Sequence, residues 1–227
     1  MADLNFWSVF DHWEILLAGA KVTLWLSLVT AALGLILGTA LAVAKKYGPR
    51  PVRWAATAYI EIWRNSPLLV QLFFFYFGLT SLGINLSPLA AATWVFTLNV
   101  AAYIAEIIRG GFAAVATAHI QAARALALTP WQIFRHVIMP PTMAASALAL
   151  ENELILLALA TSQASLISAP ELTFQASVLN AEIFRTFEIY IVLMGVYMLI
   201  SRGLMLVIGA TNRRLFRVKS ASLLPAM

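Results

Sequence analysis

Residues 23–44, TLWLSLVTAALGLILGTALAVA, form an unbroken run without a single charge. A run of roughly 20 apolar residues matches a hydrocarbon core about 30 Å thick, and inside such a core every backbone N–H and C=O needs an internal partner. That requirement selects a helix. Four further runs follow, at about Trp54 to Leu82, Ala90 to Ile108, Met143 to Ile167 and Ile189 to Ala210. The second is interrupted by Arg64-Asn65-Ser66-Pro67, where a kink is expected. The short alternating segments of a membrane β-barrel are missing. With 62% apolar and only 11% charged residues, the chain exceeds what a soluble core of 227 residues needs. It reads as an all-α integral membrane protein with five transmembrane helices.

Basic residues prefer the cytoplasmic side of a membrane and fix its topology. Lys45, Lys46, Arg50, Arg53, Arg109, Arg124, Arg135, Arg213, Arg214, Arg217 and Lys219 all fall in the connections after the first, third and fifth runs. The other side holds Asp3, Asp11, Glu14, Glu171, Glu182, Arg185 and Glu188. The expected topology therefore has the N-terminus outside and the C-terminus in the cytoplasm. A formal charge of +5 could suggest nucleic acid, but these basic residues sit at span ends, and no nucleic-acid partner is expected. Cysteine is absent, which removes thiolate metal ligands, and no metal site is expected. The opening MADLN lacks the positive start of a signal peptide. Phe6, Trp7, Phe10 and Trp13 recur at helical spacing and predict an interfacial helix. The organisation expected is residues 1–22 as that helix and the start of the first span, 23–214 as one transmembrane domain, and 215–227 as a cytoplasmic tail.

Between the third and fourth runs lies QAARALALTPWQIFRHVIMP, which is polar, helix-prone and unable to cross a bilayer. Thr129-Pro130-Trp131-Gln132 is a helix start, with Thr129 as cap, Pro130 at the first helical position and Gln132 completing a capping box. A first short helix, about Ala118 to Leu128, precedes it. Its Ala122, Ala123, Ala125 and Ala127 allow another surface to approach closely, and Gln121 and Arg124 offer hydrogen bonds to it. On the residues alone, a helix resting on lipid stands level with a helix docked on a protein.

Gln121-Ala122-Ala123-Arg124-Ala125-Leu126-Ala127 through Ile138-Met139-Pro140 resembles the EAA loop of ABC-importer permeases. Arg64-Asn65-Ser66-Pro67-Leu68-Leu69-Val70-Gln71, Ala101 to Gly111, Thr161-Ser162 and Pro170-Glu171-Leu172 resemble one branch, the polar amino-acid permeases of the histidine, glutamine and glutamate type. The resemblance covers about Thr23 to Arg214. It implies a permease subunit, not an enzyme, in the bacterial inner membrane. Its coupling loop would run from about 117 to 140, with Gln121, Ala122, Ala123, Arg124 and Ala127 at the contact with the ATPase. The implied partners are two ATP-binding subunits carrying ATP and Mg, a second permease that is a copy or a paralogue, and a periplasmic amino-acid-binding protein. The chain has no G-x-x-x-x-G-K-[ST] motif and no cofactor of its own is expected. It departs from the family pattern at Gln121, where Glu is usual, at Ala127, where Gly is usual, and at Leu159, Ala160 and Gln163. Alanine resists a left-handed turn by about 1 kcal/mol, so the first short helix is expected to continue to Leu128 and bend at Leu128-Thr129.

Ionisable groups inside spans are functional candidates. Glu61 with Arg64, and Glu106 with Arg109, lie three apart and are placed to neutralise each other. Arg64 suits the carboxylate of a zwitterion, and Glu153 with Asn152 suits its ammonium. Thr161, Ser162 and Gln163 are expected at an outer vestibule, with helix-end capping as the alternative. Glu151 and Glu153 point to nearly opposite helix faces. The rival reading is a proton-coupled secondary amino-acid transporter, which fits poorly with a docking helix and no internal repeat. His12, His119 and His136 fall outside the spans, and Ser162 has no evident base, which argues against an intramembrane enzyme.

Overall fold

The computed structural model describes residues 4–216. Asp3, Arg217, Lys219 and the expected tail beyond residue 216 lie outside them. The described residues are helical, without a strand: α1 Trp7–Phe10, α2 Trp13–Tyr47, α3 Arg50–Arg64, α4 Leu68–Phe73, α5 Pro88–Gly111, α6 Thr117–Ala125, α7 Pro130–Gln132, α8 Met139–Ala160, α9 Leu172–Ile183 and α10 Thr186–Phe216. Four stretches are long and apolar enough to cross a membrane, namely Trp13–Tyr47, Pro88–Ala114, Pro130–Ile167 and Thr186–Asn212.

The second expected crossing is not one helix. Its first part, α3, carries Arg50, Arg53, Glu61 and Arg64 and buries only Ala56 and Ile60. Its apolar part is the short stretch Leu68–Gly78, which ends in a π-helical turn. Pro67 is the reason for the split. It lacks an N–H and its ring excludes the carbonyl four residues back, so Pro67 becomes the extended cap of α4 with ψ 133°.

Lipid offers helices no hydrophobic incentive to associate, so close backbone approach must come from small side chains. α2 meets α5 in this way. Gly34 and Gly38 face Val100, Ala101 and Ile104, and a methyl on Gly38 would stand 2.7 Å from the Ala101 carbonyl oxygen. Ala101, Ala102 and Ala105 are fully buried on the opposing side.

The polar stretch at 168–188, between the fourth and fifth apolar runs, folds into α9 and packs on α2 and α10. Glu171 makes this possible. Its carboxylate accepts the N–H groups of Phe174 at 2.7 Å and Thr173 at 2.9 Å, capping α9, and the Tyr197 hydroxyl at 2.8 Å. Leu172 N–H in turn donates to Thr23 Oγ1 at 3.1 Å, which fixes the start of α9 on α2. Burial pushes the Glu171 carboxyl up from the ordinary carboxylate range, and the four donors around it pull it part of the way back.

At the amino end, the expected interfacial helix shrinks to the single turn α1. His12 leaves helical geometry at φ −111° and ψ 22°, and Trp13 already begins α2. The rings of Trp7, Phe10 and Trp13 remain exposed.

Candidate functional site

The break at Asn65 to Pro67 leaves the carbonyls of the preceding turn without helical donors. Gln71 and Asn99 supply them. Gln71 Nε2 donates to Trp63 O at 2.9 Å and Ser66 O at 3.1 Å, while Asn99 Nδ2 donates to Trp63 O at 3.3 Å and to Gln71 Oε1 at 3.0 Å. Tyr59 adds a bond from its hydroxyl to Leu98 O at 2.8 Å. The broken turn is thereby held rigidly against α5.

Beside it opens a cavity of about 500 Å³, lined by Arg64, Ser66, Asn99 and Tyr103 from one wall and by Glu153 and Leu156 of α8 from the other. Arg64 and Glu153 are thus brought to one space. Glu61, the expected neutraliser of Arg64, is exposed on α3 and makes no ion pair with it. The Arg64 guanidinium instead stands 5.3 Å over the Tyr103 ring and 4.0 Å from Glu106 Oε2. Glu106 is already engaged by Lys45 Nζ and Arg109 Nε, each at 2.7 Å. One carboxylate among three cations leaves Arg64 with donors to spare for an anion.

The other expected pathway residues lie elsewhere. Asn152 is exposed on α8 and does not line the cavity, although Leu156, one turn on, does. Thr161 is fully buried, with its hydroxyl donated to Ala158 O at 2.7 Å, which is helix-end capping. Ser162 donates to Leu159 O and lines a separate groove with Tyr190, Met194 and Met198. Gln163 is half-buried and does not line the cavity. Glu151 turns toward Asn212 and Gly209 of α10, away from Glu153. Asn99, Tyr103 and Gln71 carried no assigned role in the sequence reading. The available signal was Asn99 and Tyr103 four apart in an otherwise apolar run, on one face.

In the connecting segment, Gln121, Ala122 and Arg124 of α6 are exposed, whereas Ala123 is buried beneath it. The expected capping box forms: Thr129 Oγ1 accepts from Gln132 N–H at 3.3 Å and Gln132 Oε1 accepts from Thr129 N–H at 2.8 Å. The helix end differs from expectation. α6 stops at Ala125, and Ala127 takes the left-handed conformation at φ 53°. Leu128 N–H then donates to Ala123 O at 3.2 Å and Ala127 N–H to Arg124 O at 2.9 Å. Satisfying both carbonyls, while turning Leu128 inward beside Ile120, outweighs the strain of about 1 kcal/mol at Ala127. Tyr47 of α2 fastens the segment through ring contacts with Phe112 at 5.7 Å and Phe134 at 6.3 Å. Among the described residues no cluster of His, Asp or Glu could hold a metal.

Residues 31–217 match the family described as the binding-protein-dependent transport system inner membrane component. A probable glutamine ABC transporter permease of Bacillus subtilis is 31% identical over 212 residues, 93% of this chain and 98% of that protein. The glutamine transport system permease of Escherichia coli K12 is 32% identical over 212 residues, 92% of this chain and 97% of its own length. A crystal structure of an amino acid ABC transporter with histidines superposes with a TM-score of 0.85 at 32% identity, covering 93% of this chain and 99% of that one. A family match over most of the sequence, and relatives above 30% identity from end to end, place the chain in the family of inner-membrane components of binding-protein-dependent transport systems.

Proposed function

We propose that this chain forms one half of the pathway by which a polar amino acid crosses the bacterial inner membrane. As a member of its family it is a transport subunit, and ATP hydrolysis lies on separate subunits. The chain crosses five times, through α2, the α3–α4 pair, α5, α8 and α10, with the N-terminus outside. Two ATP-binding subunits carrying ATP and Mg, a second permease and a periplasmic amino-acid-binding protein complete the importer. The relatives named for glutamine and the neighbour holding histidines support an amino-acid solute.

One observation carries the reading of the site: Arg64 and Glu153 face a single cavity at a broken helix. Arg64 binds the solute carboxylate through its guanidinium fork, and Glu153 accepts the ammonium. Asn99 and Tyr103 complete a polar wall. The exposed face of α6, with Gln121, Ala122 and Arg124, docks an ATP-binding subunit. Closure of the two ATP-binding subunits drags α6, and the anchored helices rock between inward-open and outward-open states.

The assembled complex, reconstituted in liposomes with its binding protein, is the test. Uptake of a labelled polar amino acid that requires ATP supports the reading. Uptake by this chain alone, driven by a proton gradient without ATP, overturns it in favour of a secondary transporter.

A further inference from the structure

Helix α10 is left almost bare by the rest of the chain, with Met194, Met198 and Leu199 exposed at 67%, 61% and 73%. Arg202 stands on this bare surface. Steps of four and three residues set Met194, Met198, Arg202 and Met205 in one stripe. At a rise of about 1.5 Å per residue, Arg202 lies about 21 Å from Glu188 and about 18 Å from Arg214 along the helix. That is the middle of a hydrocarbon core about 30 Å thick. Snorkelling serves arginines near helix ends, not one at this depth. Among the described residues Arg202 makes no hydrogen bond, ion pair or ring contact. Facing lipid there would be unfavourable by about 2.5–3.5 kcal/mol on insertion scales.

The neighbouring surface of α8 is bare at the same depth. Asn212 reaches Ala147 O, and Met198 shares a groove with Leu159, so Arg202 is level with the part of α8 between them. There Asn152 is exposed, one turn from Leu156 of the cavity wall. The two acids of that stretch are directed elsewhere, Glu151 to the Asn212 amide and Glu153 into the cavity.

Resting on the reading that the chain pairs with a second permease, we infer that the Met194–Arg202 stripe is the contact with it. We further infer that this permease is not a copy of the chain but a related one offering an Asp or Glu to Arg202 at mid-membrane depth. Two identical chains related by an axis along the membrane normal carry Arg202 at one depth on a self-complementary patch. Two guanidiniums facing each other in a low-dielectric medium repel. A carboxylate opposite turns the same charge into a bidentate pair.

A photo-crosslinking side chain installed at Met198, in the tagged chain purified as the whole transporter, reads the contact by peptide mass spectrometry. The expected adduct is to a span of a permease of different sequence with an Asp or Glu within that segment. An adduct to another copy of α10, to a span without an acid, or to lipid alone overturns the inference. Recovery of the second permease provides an independent reading: Arg202→Glu lowers it about tenfold, while Arg202→Lys keeps it within about threefold. Equal recovery with both variants overturns the inference as well. ATP-driven uptake by the unmodified complex separates the two levels. ATP-dependent uptake without the expected adduct removes this inference alone, and uptake by this chain alone without ATP removes the paired-permease reading beneath it.

Discussion

Pro67 shapes the candidate site through what it takes away. By ending α3 it exposes the carbonyls of Trp63 and Ser66, which Gln71 and Asn99 then satisfy, and the fixed turn presents Arg64 to the cavity. If Arg64 holds the solute carboxylate, Arg64→Ala weakens solute binding to the reconstituted complex by about 2–3 kcal/mol, roughly 30- to 140-fold, and Arg64→Lys restores part of it. Equal affinity for all three would place the carboxylate elsewhere. Glu153→Gln is expected to weaken the ammonium contact while leaving the assembly intact, as read by equilibrium binding and by recovery of the complex. Glu171 is a structural counterpart. Glu171→Ala removes the α9 cap and the tie to Tyr197, for an expected loss of about 2–3 kcal/mol seen as a lower Tm in detergent. Its folded carboxyl holds a proton to higher pH than the unfolded one. The stability of the wild type relative to Glu171→Gln therefore falls as pH rises out of the ordinary carboxylate range, and returns below it. Arg64 and Glu153 were legible because charges stand out against an apolar run. Gln71 and Asn99 were not, since their partners are backbone atoms 8 and 36 residues away that only the fold brings near.

The elements repeat this lesson at larger size. Hydropathy located the long runs and Pro67 marked the break in the second, but a window average gave no sign that its first part, α3, is amphipathic and buries only Ala56 and Ile60. Capping chemistry is local, and Thr129 with Gln132 behaved as their spacing predicted. The end of α6 did not follow the local preference of alanine, because the preference is small beside two satisfied carbonyls and a buried Leu128. That balance makes Ala127→Gly a stabilising change worth about 1 kcal/mol, since glycine adopts φ 53° without strain. Slower hydrogen exchange at Leu126 to Thr129 is the expected readout, and faster exchange would show that alanine is not strained there. The α2–α5 seam predicts the opposite sign for Gly38→Val. Its added methyl groups collide with Ala101 O and Ile104, and overpacking of this kind costs about 1–3 kcal/mol, again visible in Tm.

At the scale of the whole molecule, long helices pack along one side of a broken helix, and in the proposed importer two parts of the surface meet other chains. One is the bare flank of α10, and the other is α6. The face of α6 proposed for docking is small, α6 packs on the turn at Ile133–Ile138, and Phe134 of that turn meets Tyr47 of α2, so a force applied to α6 would pass through this turn to the helix that carries Lys45. Sequence pattern marks α6 as the expected docking element, but the contact of Tyr47 with Phe134, beside which α6 packs, joins residues far apart in the chain, which no local pattern contains. Because the chain has no cysteine, Gln121→Cys supplies a single thiol for cross-linking in the purified transporter. A cross-link from that thiol to an ATP-binding subunit is expected, with a yield that changes when ATP is added. A thiol labelled from outside intact cells, or one that never meets an ATP-binding subunit, would contradict it.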